Sequence, residues 1–386
     1  MALAFFVAVI VGSIMVHEAG HFFTARWFGM KAERFFFGFG PTLWSVHRGD
    51  TEYGVKAVPA GGFVKIAGMN RYEEIDPADE ARAFHAKPAW QRAIVLGAGS
   101  FTHFVLAAVL LFVAMGFFEL PRLEGGVPVG SNEVTQVVAD SPAGSAGLRQ
   151  GDRIVAINDV AITTFDEMRD IVAASGGEQV SVTFERGGDT RTLSITLDTR
   201  EVEGEEVGFI GLASDRIASQ RWTLSQAAAG VVTGEYSLPS QTARSLDGIA
   251  QVFTPDSLAT WLQQADGETP RTADGPISLV GAGQAATALA RIGAFSSVIL
   301  LLAQLQIIIG TLNLLPLPPF DGGHLAVLAV ESGVNAVRRR RGLSADWQVD
   351  PQALMPLTLA VLLLFGLFAL TAMYVDIVNP ISELIQ

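Results

Sequence analysis

Residues 16–21 read VHEAGH. His17 and His21 are four apart, so on a helix their side chains leave one face about one turn from each other. Two imidazoles at that spacing can share one zinc ion. Glu18, beside the first, is placed to take a proton from an attacking water without itself binding metal. The chain has only six histidines, and this polar trio interrupts one of its most apolar runs. Ionisable groups inside a spanning segment are expensive and are read as functional by default.

A hydrolytic zinc site needs a third protein ligand and an open position. The continuation H-E-x-x-H-x-x-G-x-x-H would supply one locally, but Thr24 and Trp27 stand where its glycine and last histidine belong. The chain has no cysteine, so thiolate ligands, cysteine nucleophiles and disulfides are excluded. The third ligand must come from another segment. Residues 313–324, NLLPLPPFDGGH, offer a carboxylate in an apolar, proline-broken setting. Gly322 and Gly323 after it let backbone approach closely. Asp321 is assigned as the third ligand, and His324 to the surface.

These groups must be positioned by membrane helices. Of 386 residues, 49% are hydrophobic and 17% charged, with mean hydropathy +0.37. Four runs reach the roughly 20 residues that cross a bilayer: 2–28, 93–118, 296–317 and 354–375. The first lacks the basic leader and cleavage site of a signal peptide and is read as retained. Basic residues flank the segment between spans one and two, at Arg26, Lys31, Arg34, Lys87 and Arg92, and Arg338 to Arg341 follow span three. Residues 119–291 instead hold 12 basic and 24 acidic side chains. The positive-inside rule puts the first and third loops in the cytoplasm and both termini and the acidic segment outside. Net charge of −13 argues against nucleic acid as a partner, and Arg338–Arg341 reads as a lipid-headgroup anchor. Arginine-rich, lysine-poor composition points to a bacterial source.

Residues 31–69 alternate aromatic and small side chains, with turn signals at 48–50 and at Gly61-Gly62. This reads as a membrane-associated β-hairpin or meander, dipping into the bilayer because Phe35, Phe36, Phe37 and Phe39 would otherwise be exposed. Residues 70–87 become acidic and helical in pattern. Residues 126–200 read as a β-rich domain with strands EVTQVV, RIVAINDV, QVSVTFER and TRTLSITL and one helix at 163–175. The stretch 141–160, SPAGSAGLRQGDRIVAINDV, closely resembles a PDZ domain, a module that adds extended peptide to a sheet edge. From 201 to 293 the pattern is mixed: an acidic turn, helical stretches, a polar Pro/Gly/Asp-rich linker, and a surface helix leading into span three.

At this point the chain resembles the site-2 protease family of intramembrane zinc metalloproteases, bacterial members with a PDZ domain between spans two and three. The resemblance is carried by HEAGH, GFGP, PAGGFVKIAGM, KPAWQRAIVLGAGSFTHFVLA, the PDZ stretch and NLLPLPPFDGGH, in that order. It implies one Zn2+ per chain held by His17, His21 and Asp321, with Glu18 as catalytic base. It implies that Asn313 holds substrate backbone and that a β-element within 31–69 pairs with unwound substrate. Gly61, Gly62 and Pro316 are the companion substrate-binding candidates. One departure stands out. Where the family often has Gly-Pro and then Asn in span two, this chain has Gly99-Ser100-Phe101-Thr102-His103. His103 either replaces the asparagine in polar contact near the site or acts as an inhibitory fourth ligand.

The expected fold is an α-helical polytopic membrane protein with four transmembrane helices, a membrane-associated β-element and an inserted α+β PDZ domain. Its segments are 1–28, 29–92, 93–118, 119–200 (PDZ), 201–295 (linker and surface helices), 296–317, 318–353 (a cytoplasmic loop carrying Asp321) and 354–386. At about 1.5 Å per residue, the 15 residues before His17 put the site some 22 Å in, toward the cytoplasmic side of a bacterial inner membrane. The resemblance implies single-pass membrane substrates such as anti-sigma factors, and remnant signal peptides, with an upstream site-1 protease cutting first. Two competing classes are a catalytically inactive membrane PDZ scaffold with a structural metal and a zinc transporter. A structural zinc needs no base, and a transporter predicts more intramembrane carboxylates.

Overall fold

The computed structural model describes residues 2–70, 73–202, 204–214, 216–264 and 275–381. Most of the polar linker, 265–274, and the tail 382–386 lie outside the described residues. In chain order the helices are α1 (Ala2–Trp27), α2 (Ala89–Phe117), α3 (Pro142–Ser145), α4 (Phe165–Ala174), α5 (Leu224–Gly230), α6 (Leu238–Val252), α7 (Pro255–Gln263), α8 (Leu279–Arg291), α9 (Phe295–Asn313), α10 (Asp321–Arg340) and α11 (Pro351–Val378). Of these, α1, α2, α9 and α11 are long and apolar enough to cross a membrane. Their apolar residues surround the axis rather than forming one stripe, the pattern of helices in lipid rather than at a water boundary. The described residues divide into two units: those up to 114 with those from 229 onward, and 115–228.

In the first unit α1 and α2 cross where Gly20 meets Ala98. A Cβ on Gly20 would sit 2.7 Å from the Ala98 carbonyl oxygen, so only glycine lets the two backbones approach this closely. Below the crossing, Ala25, Met30, Ile66, Phe84, Val95, Leu96 and Leu328 form one buried cluster that ties α1, α2, the β-element and α10 together. A second cluster of Phe6, Ile10, Ala282, Ala286, Val298 and Leu302 packs α1, α8 and α9. The buried Asp376 of α11 accepts from the backbone N–H of Ser278 (2.7 Å) and Gly281 (3.0 Å), capping the start of α8.

The segment 318–353, expected to be a loop, is instead mostly α10. Its apolar content is too low for a span, but Leu325 and Leu328 anchor it on the lower cluster, and Arg338 to Arg340 in its last turn favour the helix dipole. The helical reading of 70–87 is also corrected. Among its described residues two short 3-10 turns form, Glu80–Arg82 and Phe84–Ala86. Backbone bonds from Lys31 N to Arg82 O and from Phe84 N to Ala67 O hold this stretch against the β-element rather than in a helix.

The β-element is two long antiparallel strands, β1 (Ala32–Arg48) and β2 (Thr51–Ile66), joined at the turn expected at 48–50. The strands curl: 34–37 pair with 62–65 on one side and with 52–55 on the other. The turn expected at Gly61-Gly62 does not form. Both lie within β2, where Gly61 takes φ +123° and shifts the register. Phe36 is covered by the sheet itself, stacked on Phe63 at 5.6 Å. Phe39, Leu43, Trp44, Val55 and Val58 stay exposed, an apolar surface suited to lipid or protein contact.

The second unit is built around a four-stranded sheet in the order Asp189–Thr196, Gln179–Arg186, Arg153–Ile157, Val160–Ala161. Ile154, Val180, Val182, Phe184 and Ile195 face a core shared with Met168 and Val172 of α4. That helix starts on a capping box: Thr164 accepts from Glu167 N, and Glu167 reaches back to the Thr164 N–H. The EVTQVV run forms a strand at Gln136–Val137, paired with Leu212–Ala213, and bridges from Glu133 to Arg153, while Leu120–Pro121 pairs with Ser219–Gln220. Residues 201–228 therefore complete this unit, which extends beyond the boundary expected at 200.

Candidate active site

Helix geometry brings His17 and His21 to one side of α1, as their spacing requires. Asp321 reaches them from the first turn of α10. That turn is wedged against the chain leaving α9: a Cβ on Gly323 would meet Leu317 and Pro318 at 2.6 Å, and one on Gly322 would collide with Leu314. The paired glycines thus let the aspartate approach, and the helix start presents its carboxylate.

Three ligand atoms converge. His17 Nε2 and His21 Nε2 are 3.2 Å apart, and Asp321 Oδ2 lies 3.4 Å from the first and 3.5 Å from the second. A tetrahedral zinc about 2.0–2.1 Å from each ligand needs ligand atoms about 3.3 Å apart, so the triangle fits the ion. His21 Nδ1 donates to the Val95 carbonyl at 2.7 Å, which leaves Nε2 as the free lone pair. Gly99 of α2 faces both rings; a Cβ there would come 2.6 Å from His17 Cε1 and 2.7 Å from His17 Nε2. The hollow at the ligands exists because that side chain is absent.

Glu18 stands outside the triangle. Its Oε2 accepts from the Val64 backbone N–H of β2 at 3.0 Å. Gly62, two residues earlier, presses on the same turn of α1, with its Cβ position 2.6 Å from Met15 Sδ and 3.5 Å from Glu18 Cγ. The edge of the β-element is therefore docked beside the carboxylate, which brings Gly62 to the site, while the neighbouring Gly61 faces Phe39. Asn313 is the last residue of α9 and Pro316 lies in the link to α10; the residues packed against the first turn of α10 are Leu314, Leu315, Leu317 and Pro318. His103 is buried beside His17, ring centroids 5.1 Å apart, but stands outside the ligand group. Its Nδ1 pairs instead with Gln306 Oε1 at 2.7 Å. His324 is exposed. Sequence reasoning missed Val95, Ser100 and Gln306, whose roles follow from packing between spans. It quoted Gly99 only as part of a motif, although a glycine inside a spanning helix is itself a sign of close approach.

Two imidazoles and a carboxylate close enough to share one ion, with a glutamate alongside, on the first spanning helix and on the helix that follows the third, are the group expected of a membrane metallopeptidase. The sequence matches peptidase family M50 over residues 5–355. The chain belongs to that family, the site-2 proteases, and is a zinc-dependent intramembrane metalloprotease acting on membrane-protein substrates. It is 36% identical over 403 residues to the zinc metalloprotease Rip1 of Mycobacterium tuberculosis, covering 98% of both chains. It is 33% identical over 410 residues to Rip1 of Mycolicibacterium smegmatis, covering 99% of this chain and 98% of the other. The PDZ domain of an SdrC-like protein from Listeria monocytogenes aligns at 24% identity over 23% of this chain and 92% of its own, with TM-score 0.20. The PDZ reading of residues 119–200 rests on their own 141–160 motif.

Proposed function

We propose that His17, His21 and Asp321 hold the catalytic zinc and that Glu18 is the general base. The single observation that carries this is the convergence of the three ligand atoms within 4.8 Å of one another on helices that also present Glu18. A zinc ion bound there supplies Lewis acidity, acidifying water and polarising a scissile carbonyl. The chain supplies the rest. A peptide bond in a spanning helix is shielded by its own hydrogen bond and by scarce water. The β2 edge near Gly61 and Gly62 offers an extended segment backbone partners, so unwinding costs fewer orphaned groups. Asn313 and the broken backbone around Pro316 hold its other side. Val64 fixes one oxygen of Glu18, and the carboxylate accepts the proton of the attacking water and returns it to the leaving amine. Glu18→Gln abolishes cleavage of a membrane-embedded reporter in this reading and leaves zinc content unchanged. Retained cleavage removes Glu18 from the mechanism. No observation favours an inactive scaffold.

The finer assignment is a bacterial inner-membrane enzyme with its site toward the cytoplasm and residues 115–228 and both termini outside. Anti-sigma factors already trimmed by a first protease are its substrate class, and remnant signal peptides a second. Residues 115–228 act as the filter for trimmed substrate. Replacing 119–221 by a short linker should let untrimmed substrate be cut; continued dependence on the first cut refutes the filter.

A further inference from the structure

Over residues 95–103, helix α2 turns one stripe toward the ligands. The Val95 carbonyl holds His21 Nδ1, and Gly99 leaves room beneath both rings. Ser100 Oγ donates to Asp321 Oδ2 at 3.2 Å. His103 lies one turn further, its ring 5.1 Å from His17 and tilted by 42°. It is held in turn by the 2.7 Å hydrogen bond to Gln306 of α9. Ser100 and Gln306 are 0% exposed and His103 1%. The two helices meet closely here, since a Cβ on Gly310 would lie 3.1 Å from His103 Cβ and 3.3 Å from the Ser100 carbonyl. Polar side chains this deep between spanning helices are costly unless they act on something.

We propose that Ser100 and His103 are positioning residues of the metal centre: the Ser100 hydroxyl orients the Asp321 carboxylate, and His103, anchored by Gln306, sets the His17 ring. This rests on the reading of His17, His21 and Asp321 as zinc ligands. A hydroxyl on a ligating carboxylate restricts its rotation through a charge-assisted bond. A ring locked against an imidazole limits that ligand's swing, and such outer partners tune affinity without touching the ion. The Ser100 contact needs a hydroxyl.

The test uses the purified full chain in detergent, titrated with zinc against a competing chelator and then with cobalt to read its visible absorption. Ser100→Ala, His103→Leu and Gln306→Leu should each weaken zinc about 10- to 100-fold. They should also shift the cobalt bands, while the zinc-free protein melts as wild type. A purely structural role would lower melting without moving the cobalt spectrum, and that result overturns the proposal, as does wild-type zinc affinity in Ser100→Ala. Should His103→Leu fail to fold, Ser100→Ala alone decides. Asp321→Asn separates the two levels. If it loses zinc while Ser100→Ala does not, the positioning role falls and the ligand set stands; if it keeps zinc, the ligand set itself falls.

Discussion

Adding one methyl group at Gly99 should empty the metal centre while sparing the fold. An alanine Cβ there would sit 2.6 Å from His17 Cε1 and 2.7 Å from His17 Nε2, and closer still to His21 Nε2. Non-bonded atoms rest at about 3.5 Å or more, so the His17 ring must retreat by roughly 0.8–0.9 Å and the His21 ring by more. Metal–ligand distances tolerate about 0.2 Å. The displacement is several times that tolerance and acts on two of three ligands. Zinc affinity should fall at least about 100-fold, and cleavage by a similar or larger factor, since misplacement near 1 Å alone costs about 10²-fold. Stability should change little. Overpacking costs about 1–3 kcal/mol, and replacing glycine by alanine inside a helix returns about 1 kcal/mol. The assay is chelator-competition titration of the purified variant beside a thermal melt of its zinc-free form, followed by an intramembrane reporter. Gly99→Ala protein that binds one zinc with wild-type affinity would refute the assignment of the hollow as the metal seat.

Gly62→Ala separates substrate holding from metal holding. Its Cβ would meet Met15 Sδ at 2.6 Å and the Phe36 carbonyl at 3.0 Å, pushing the β2 edge off Glu18; turnover should fall about 10- to 100-fold with zinc affinity unchanged, and a parallel loss of zinc would contradict the separation. In the 115–228 unit, burial works against the charged form of Asp152, but the Arg186 guanidinium at 2.6 Å and the Arg149 backbone N–H outweigh it and hold this carboxyl below the usual aspartate range. A lowered pKa contributes stability that is full above the unfolded value, about 3.9, and is lost as pH falls through the folded one. Arg186→Met should therefore destabilise this unit by about 3–5 kcal/mol at neutral pH and by less below about pH 4, read as amide exchange of residues 149–152 in the full chain. An effect that grows toward acid would show the sign to be wrong.

The four spans and the first half of the site were legible because both depend on local rules. Twenty apolar residues have few alternatives to crossing a bilayer. Likewise, residues four apart on a helix share a face whatever surrounds them, so His17, Glu18 and His21 could be read as a unit. Asp321 was legible only in combination, as a carboxylate in an apolar, proline-broken stretch. The strands QVSVTFER and TRTLSITL were clear from alternation, and the helix at 163–175 was marked by Asp166 and Glu167 in its first turns. The Gly61-Gly62 turn was misread because glycine serves reversal and close approach equally well, and only the neighbour pressing on it tells which.

What the sequence alone determined is the chemistry available: two imidazoles and a base on one turn, a distant aspartate, no thiol, and enough apolar length to bury them in a membrane. Only the tertiary structure decided how these groups stand to one another. The Asp321 separations of 3.4 and 3.5 Å from the two imidazoles, the Val64 bond to Glu18, the hollow at Gly99 and the Ser100 and His103 contacts all join residues tens to hundreds of positions apart. Such contacts are set by how close helix backbones can come. That depends on the packing of every neighbouring side chain at once, which no single stretch of sequence specifies.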